Sequence, residues 1–66
     1  MLSYQERLAV EKDELNDRIS KLKNFIANNE TFRNLQEAER GRMTRQLEVM
    51  TEYSQILAER IKAARR

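Results

Sequence analysis

The sequence contains no cysteine, no histidine, no proline and a single glycine among its 66 residues. Without cysteine the chain has no disulfide and no thiolate ligand for a metal, and without histidine it lacks the commonest general base. We therefore expect no enzyme, no metal site and no cofactor. The shortage of turn-forming residues also argues against a sheet protein. These absences favour a helical protein that binds or assembles.

Long apolar runs are missing as well, and none exceeds the length of the run Leu8 to Val10, which is far too short to cross a bilayer. The sequence is 39% hydrophobic and 36% charged, so it is not compositionally disordered. No charged-then-apolar leader begins the chain, which favours a cytoplasmic location over export. A chain of this length has room for one domain, 1–66.

The first half of the chain repeats apolar residues at helical spacing. Ser3 and Glu6 form the pattern of a capping box, in which each residue hydrogen-bonds to the backbone amide of the other. The apolar stripe then comprises Tyr4, Leu8, Leu15, Ile19, Leu22 and Ile26, with Phe25 beside it. This spacing predicts a helix over about 3–27. Lys12 interrupts the stripe, which indicates a kink, a stem laid along the surface, or a functional lysine.

The connection is marked by Asn28 and Asn29, because asparagine tolerates the left-handed conformation that ends helices. Phe32 and Leu35 are three residues apart, which predicts a short helical turn over about 31–35 that tucks two apolar side chains under the connection.

The second half of the chain carries a heptad pattern, with acidic residues near its start that suit a helix N-terminus. Alternating steps of four and three join Met43, Leu47, Met50, Ser54, Leu57, Ile61 and Ala64. This seam predicts a helix over about 37–64. Val49, Tyr53 and Ile56 lie beside the seam, so the apolar stripe is wider than one helix contact requires. We expect Tyr53 and Phe25 to belong to the core, and the methionines to be seam residues.

These patterns predict an all-α fold, an antiparallel helical hairpin with a short connecting helical turn. Two helices cover only one stripe of each other, and a chain this small rarely gains more than about 3–5 kcal/mol from one core. Because neither a disulfide nor a structural metal is expected, we predict that the hairpin assembles as a homo-oligomer.

Beyond the heptads, a series of short motifs covers nearly the whole chain. They are Tyr4-Gln5-x-Arg7, Glu11-Lys12-x-x-Leu15, Ile19-x-Lys21-Leu22, Phe25-Ile26, Phe32-x-x-Leu35, Glu39 and Gln46-x-x-x-Met50-x-x-Tyr53-Ser54-x-x-Leu57-x-x-Arg60-Ile61. In this order and spacing they resemble the helical hairpin of small phage counter-defence proteins, the anti-CBASS and anti-Thoeris cyclic-nucleotide sponge family. CBASS is a bacterial system that signals infection with cyclic oligonucleotides.

The resemblance implies a phage protein that binds cyclic dinucleotides or cyclic trinucleotides without cleaving them, and so blocks activation of the immune effector in the cytoplasm of the infected bacterial host. Members of the family are hexamers, with one type of pocket between paired protomers for cyclic dinucleotides and another near a threefold axis for cyclic trinucleotides. This chain lacks the β-rich region of the anti-Thoeris members, which argues against their cyclic ADP-ribose ligand.

A cyclic dinucleotide carries two phosphates and two flat bases, so a pocket for it needs cations and aromatic faces. Tyr4 matches the early tyrosine of the family and is the aromatic candidate; alternatively, it closes the apolar stripe. Lys12, Lys21 and Arg7 are the phosphate candidates of the first helix, and Lys21 lies within the motif. The alternative for each lysine is a solvated side chain.

For a threefold site, Arg45 and Arg60 on the second helix are the candidates. The guanidinium group binds phosphate through a planar two-pronged fork, which a threefold axis would repeat three times. Thr44, Thr51 or Ser54 would supply hydroxyl groups.

Two other functions fit the same sequence. The wide apolar stripe would suit a structural or regulatory coiled-coil module that binds another protein. A nucleic-acid partner is weaker, because Arg40, Arg42 and Arg45 lie within a few residues of acidic side chains that dilute their field, namely Glu37, Glu39 and Glu48. We expect no DNA and no membrane partner. A second basic cluster ends the chain and consists of Arg60, Lys62, Arg65 and Arg66. Such a cluster also simply suits the negative end of a helix dipole.

Overall fold

The computed structural model describes residues 2–65, which form three helices. They are α1 (Tyr4–Asn28), α2 (Glu30–Arg33) and α3 (Glu37–Ala64). The two long helices, α1 and α3, pack side by side in opposite directions, and the body measures 47 × 18 × 16 Å. The predicted all-α fold with a long helix pair is confirmed for these residues.

α1 begins with the predicted capping box. The Ser3 hydroxyl accepts from the Glu6 amide at 3.1 Å, and the Glu6 carboxylate accepts from the Ser3 amide at 3.1 Å. The hydrogen bond from the Ser3 amide, followed by that with its hydroxyl, lowers the pKa of Glu6 below its usual value. The helix continues without a break past Lys12, whose side chain is half-buried. This burial fits a stem laid along the surface.

The connection between the helices differs from the prediction in its backbone. Asn29 has φ −94° and ψ 128°, which is extended, and no residue other than glycine in the described chain has a positive φ. The chain therefore leaves α1 through an extended residue and not through the left-handed conformation that asparagine tolerates. Asn29 is extended because it caps α2, where its side-chain oxygen accepts from the Thr31 amide at 2.8 Å.

α2 covers the closed end of the hairpin and begins slightly before the predicted turn. Phe32 and Leu35 are half-buried. The Phe32 ring meets Phe25 edge to face, with the ring centroids 6.2 Å apart and the planes at 82°. This geometry is a favourable one for an aromatic pair, so the two rings stabilise the connection.

The core is a single line of contacts between α1 and α3. Leu8 and Leu15 of α1 and Leu57 of α3 are the buried hydrophobic residues, and Leu57 is completely buried. Partly buried residues extend this line, namely Ile19, Met50, Ile61 and Ala64. The heptad seam of the second helix therefore faces α1 as predicted. The number of buried side chains is small for a chain of this length.

One polar pair lies within the seam. Ser54 is 9% exposed, and its hydroxyl donates to Asn16 Oδ1 at 2.6 Å. A polar pair in an otherwise apolar contact favours the register in which both groups are paired. In this hairpin the Ser54 hydroxyl proton is therefore used by Asn16, and the role of Ser54 as one of the possible hydroxyls for a ligand stays a prediction.

Tyr53 is not a core residue, contrary to prediction. It is 40% exposed, as are its neighbours Val49 at 53% and Ile56 at 48%. Successive residues turn by about 100° around a helix, so Tyr53 lies well to one side of the seam at Ser54. The described chain has no third long helix to cover that side. Phe25, which is half-buried, fits the prediction better.

Replacing Ser54 with alanine should destabilise the hairpin by about 1 kcal/mol, because Asn16 loses its partner in a partly buried place. Thr51→Ala is the matched control: the Thr51 hydroxyl is exposed and donates to the Leu47 carbonyl of its own helix at 2.9 Å. Both changes raise helix propensity by similar amounts. Urea denaturation at one fixed protein concentration measures the difference, and equal effects of the two variants would contradict this account.

The capping box should make stability depend on acid pH. The folded pKa of Glu6 lies below its ordinary value of 4.5, so the carboxylate stabilises the fold above that value and loses this contribution as pH falls through the lowered pKa. Glu6→Gln does not titrate, so its melting temperature should fall less between about pH 6 and pH 3. Parallel curves from circular dichroism for the two proteins would contradict the prediction.

Candidate ligand site

The open end of the hairpin joins two of the predicted ligand residues. Arg60 Nη2 donates to the Tyr4 hydroxyl at 3.0 Å across 56 residues of sequence. Tyr4 is the first residue of α1, and Arg60 lies in the last two turns of α3. Both side chains are exposed. An aromatic ring and a guanidinium group therefore stand together on the surface, as an anionic ligand with flat bases requires.

Further contacts hold this end together. The Gln5 side chain donates to the Ala64 carbonyl, so the first turn of α1 is bonded to the last turn of α3. The phenol of Tyr4, through its hydrogen bond and its charge interaction, raises the pKa of Arg60, and the charge of Glu11 adds to this effect. The guanidinium group is thus cationic at any physiological pH, with an acidic side chain in its neighbourhood.

Arg7 and Lys12 belong to the same half of α1. Arg7 is exposed and follows Tyr4 by one helical turn, so the two side chains lie on neighbouring positions of the helix surface. Lys12 is half-buried and lies more than two helical turns beyond Tyr4 along α1. Of the two, only Arg7 is a close companion of the Tyr4–Arg60 pair.

Lys21 and Arg45 lie far from this end. At about 1.5 Å per residue, Lys21 is about 25 Å from Tyr4 along α1, and Arg45 is about 22 Å from Arg60 along α3. The Lys21 ammonium group pairs with Asp17 at 3.0 Å, and both side chains are well exposed. A single copy of the chain therefore does not bring the predicted site residues to one place.

The threonine hydroxyls proposed for a threefold site make bonds within their own helix. Thr44 donates to the Arg40 carbonyl and Thr51 to the Leu47 carbonyl, each at 2.9 Å. Both threonines are exposed, so their oxygens can still accept a hydrogen bond.

A shallow groove on α1 was not predicted from the sequence. It is lined by Ser20, Lys23, Asn24, Ala27 and Asn28, and it opens widely to solvent. Lys23 is its cation, and the Asn28 side chain donates to Asn24 at 2.7 Å. The signal that could have revealed it is the spacing of these small and polar residues along one side of the helix.

The arginines at the start of α3 do not form an open cationic patch. Arg42 pairs with Glu39 at 2.8 Å, and Arg40 is half-buried, with an Nε atom that has no hydrogen-bond partner among the described residues. In the basic cluster at the end of the chain, Lys62 and Arg65 are exposed, whereas Arg66 lies outside the described residues.

Within residues 2–65, no helix is both long enough and apolar enough to cross a membrane. No three acidic side chains in this part of the chain converge in a way that could hold a metal ion. The candidate site in a single copy of the chain is the Tyr4–Arg60 pair with the exposed Arg7 beside it.

Comparison with known families identifies the chain. A family model described as Sequestin matches residues 2–63, which is almost the entire sequence. The match confirms the resemblance to the sponge family that the motifs indicate. The name of the family points to sequestration, that is, to binding rather than turnover. No curated protein and no solved structure matches the chain.

Proposed function

The chain belongs to the Sequestin family, and we propose that it binds and sequesters cyclic oligonucleotide messengers, cyclic dinucleotides or trinucleotides, without cleaving them. The proposal places it in the cytoplasm of a phage-infected bacterium, where it blocks activation of a CBASS effector. The family name supports sequestration, and the absence of histidine and cysteine agrees with a binding role.

The observation that carries this proposal is the pairing of Tyr4 with Arg60 at the open end of the hairpin. Stacking of a base on an aromatic ring contributes about 1–3 kcal/mol in single-stranded nucleic acids, and a cyclic dinucleotide has two such bases. The guanidinium group of Arg7, one helical turn from Tyr4, offers donors for phosphate. A compact surface of this composition suits a small anion with flat rings.

The proposed site is completed by a second copy of the chain. Lys21 and Arg45 are separated from the Tyr4–Arg60 pair by more than 20 Å along their helices, at about 1.5 Å per residue. A neighbouring antiparallel copy would bring its own middle region beside that pair. A twofold assembly also presents each residue twice, which matches the near-symmetry of a cyclic dinucleotide.

The surface proposed for self-association is the apolar stripe of α3, which we define as Val49, Tyr53 and Ile56. All three side chains are at least 40% exposed. Among residues 2–65, the internal core contains only three buried hydrophobic residues, so covering the apolar stripe would add materially to stability. We propose a homo-oligomer, specifically the hexamer of the sponge family, with Arg45 and Arg60 facing trinucleotides near a threefold axis.

A second candidate function is a coiled-coil module that binds another protein through the same apolar stripe. The exposure of the apolar stripe is the observation that favours it. This function requires no phosphate ligand, so reversing the charges of Lys21 and Arg60 would leave it intact. A stable protein partner in a pull-down, together with that insensitivity, would support it over sequestration.

Calorimetry with a panel of cyclic dinucleotides and trinucleotides should give saturable binding, and the ligand should be recovered unchanged after the protein is denatured. Lys21→Ala should weaken binding by tenfold or more if it meets phosphate. It should alter stability by less than about 0.5 kcal/mol, because its pair with Asp17 is exposed. Lys23→Ala is the matched control, since Lys23 is exposed on the same helix and outside the proposed site. Absence of heat with every ligand would refute the proposal.

Ile56→Glu should break the assembly, because it places a charge in the centre of the proposed interface. Val10→Glu is the matched control, since Val10 is exposed to a similar degree, 41% against 48%. Val10 lies two residues after Leu8 and hence about 200° around α1 from the seam. Native mass spectrometry should show smaller species for the first variant alone. Monomers in the unmodified protein at micromolar concentration would contradict the interface.

A further inference from the structure

The hydrogen bond between Arg60 and Tyr4 has a second consequence for the proposed site. Tyr4 is 54% exposed, so little packing fixes the position of its ring. Its backbone, in contrast, is well held: the capping box of Ser3 and Glu6 precedes it, and Gln5 bonds to the Ala64 carbonyl. The remaining freedom of the ring lies in its side-chain torsions, which the bond from Arg60 restricts.

At the dinucleotide site, where Tyr4 stacks on a base, the hydrogen bond of Arg60 favours this role over direct contact with phosphate. One of its amino groups is already engaged by the phenol at 3.0 Å. The nearest partner of Arg60 is thus the ring that the ligand would use.

We infer that Arg60 is a positioning residue for Tyr4, and that its hydrogen bond holds the phenol ring so that one face is presented to a nucleobase of the ligand. This inference rests on the proposed function. A ring fixed in advance loses less conformational entropy when a base stacks on it, so the bond raises affinity without touching the ligand. The hydrogen bond from Arg60 therefore affects ligand affinity only through the position of the Tyr4 ring.

A double-mutant cycle separates the two roles of Arg60. Binding of 3′,3′-cyclic di-AMP, or of the tightest cyclic dinucleotide in the panel, is measured for the unmodified chain, Tyr4→Phe, Arg60→Gln and the double variant. Each single change should weaken binding by about threefold to tenfold, which is the effect of one lost hydrogen bond. The double variant should be no weaker than the weaker single variant, because both changes remove the same bond.

Replacing Arg60 with lysine gives a second test of whether Arg60 acts through Tyr4. Arg60→Lys should recover part of the affinity where Tyr4 is present and none in the Tyr4→Phe background. A further tenfold loss from Arg60→Gln in the Tyr4→Phe background, or rescue by lysine in that background, would show direct contact with phosphate and overturn the inference. Lys62→Gln controls for the loss of one positive charge at the same end of the hairpin, and it should leave affinity within about twofold.

The position of the ring can also be followed without ligand. The chain has two tyrosines, so Tyr53→Phe leaves Tyr4 as the only tyrosine signal. Arg60→Gln in that background should shift the ring resonances of Tyr4 in carbon-13 NMR spectra and lower the order of the ring. An unchanged spectrum would overturn the inference. If the unmodified chain binds no cyclic nucleotide, the proposed function fails, and the ring spectrum alone decides whether Arg60 positions Tyr4.

Discussion

Two helices can bury only one stripe of each other, and the other features of this molecule depend on that limit. The contact between α1 and α3 encloses Leu8, Leu15 and Leu57 and leaves most of the other described side chains exposed. Burying one leucine contributes about 1.5–3 kcal/mol, so a core of this size leaves little margin over the entropy lost on folding. The exposed apolar stripe of α3 is the unused part of the same hydrophobic surface, and it gives a physical reason for self-association.

The same limit determines where side chains of the two helices can meet outside the core. Contacts between α1 and α3 are confined to the seam and its edges, and the polar contacts there are few. Asn16 and Ser54 meet within the seam, whereas Tyr4 and Arg60 meet at its open end. The first pair is nearly removed from water and favours one alignment of the two helices. The second remains in solvent and is available to a ligand.

Patterns that depend on neighbouring residues could be predicted from the sequence. The capping box at Ser3 and Glu6 and each step of the heptad seam from Met43 to Ala64 join residues about one helical turn apart, and both patterns are present in the structure. The extended backbone of Asn29 was not predicted, because the same residue type serves both to end one helix and to cap the next. Which role applies depends on where α2 begins.

Features that depend on pairing between the helices could not be predicted. The hydrogen bonds of Ser54 with Asn16 and of Arg60 with Tyr4 depend on how the two antiparallel helices are aligned along their axes. A heptad pattern does not determine this alignment, because a shift of one helix by seven residues keeps the apolar positions in contact. The exposure of Tyr53 has a related cause. Its hydrophobicity indicates a covered residue, but whether the cover is another helix of the same chain or a second copy cannot be read from its position in the heptad.

The small net charge of +2 restricts how such a chain can hold an anionic ligand. Several cations are partly offset by acidic neighbours, as Lys21 is by Asp17 and Arg42 by Glu39, so no strong general field attracts phosphate. Affinity must then come from a few well-placed groups at short range, where one aromatic face and one fixed cation act together. In the proposed homo-oligomer, symmetry would repeat those groups without lengthening the chain, so that a hairpin with so small a core would build a complete site.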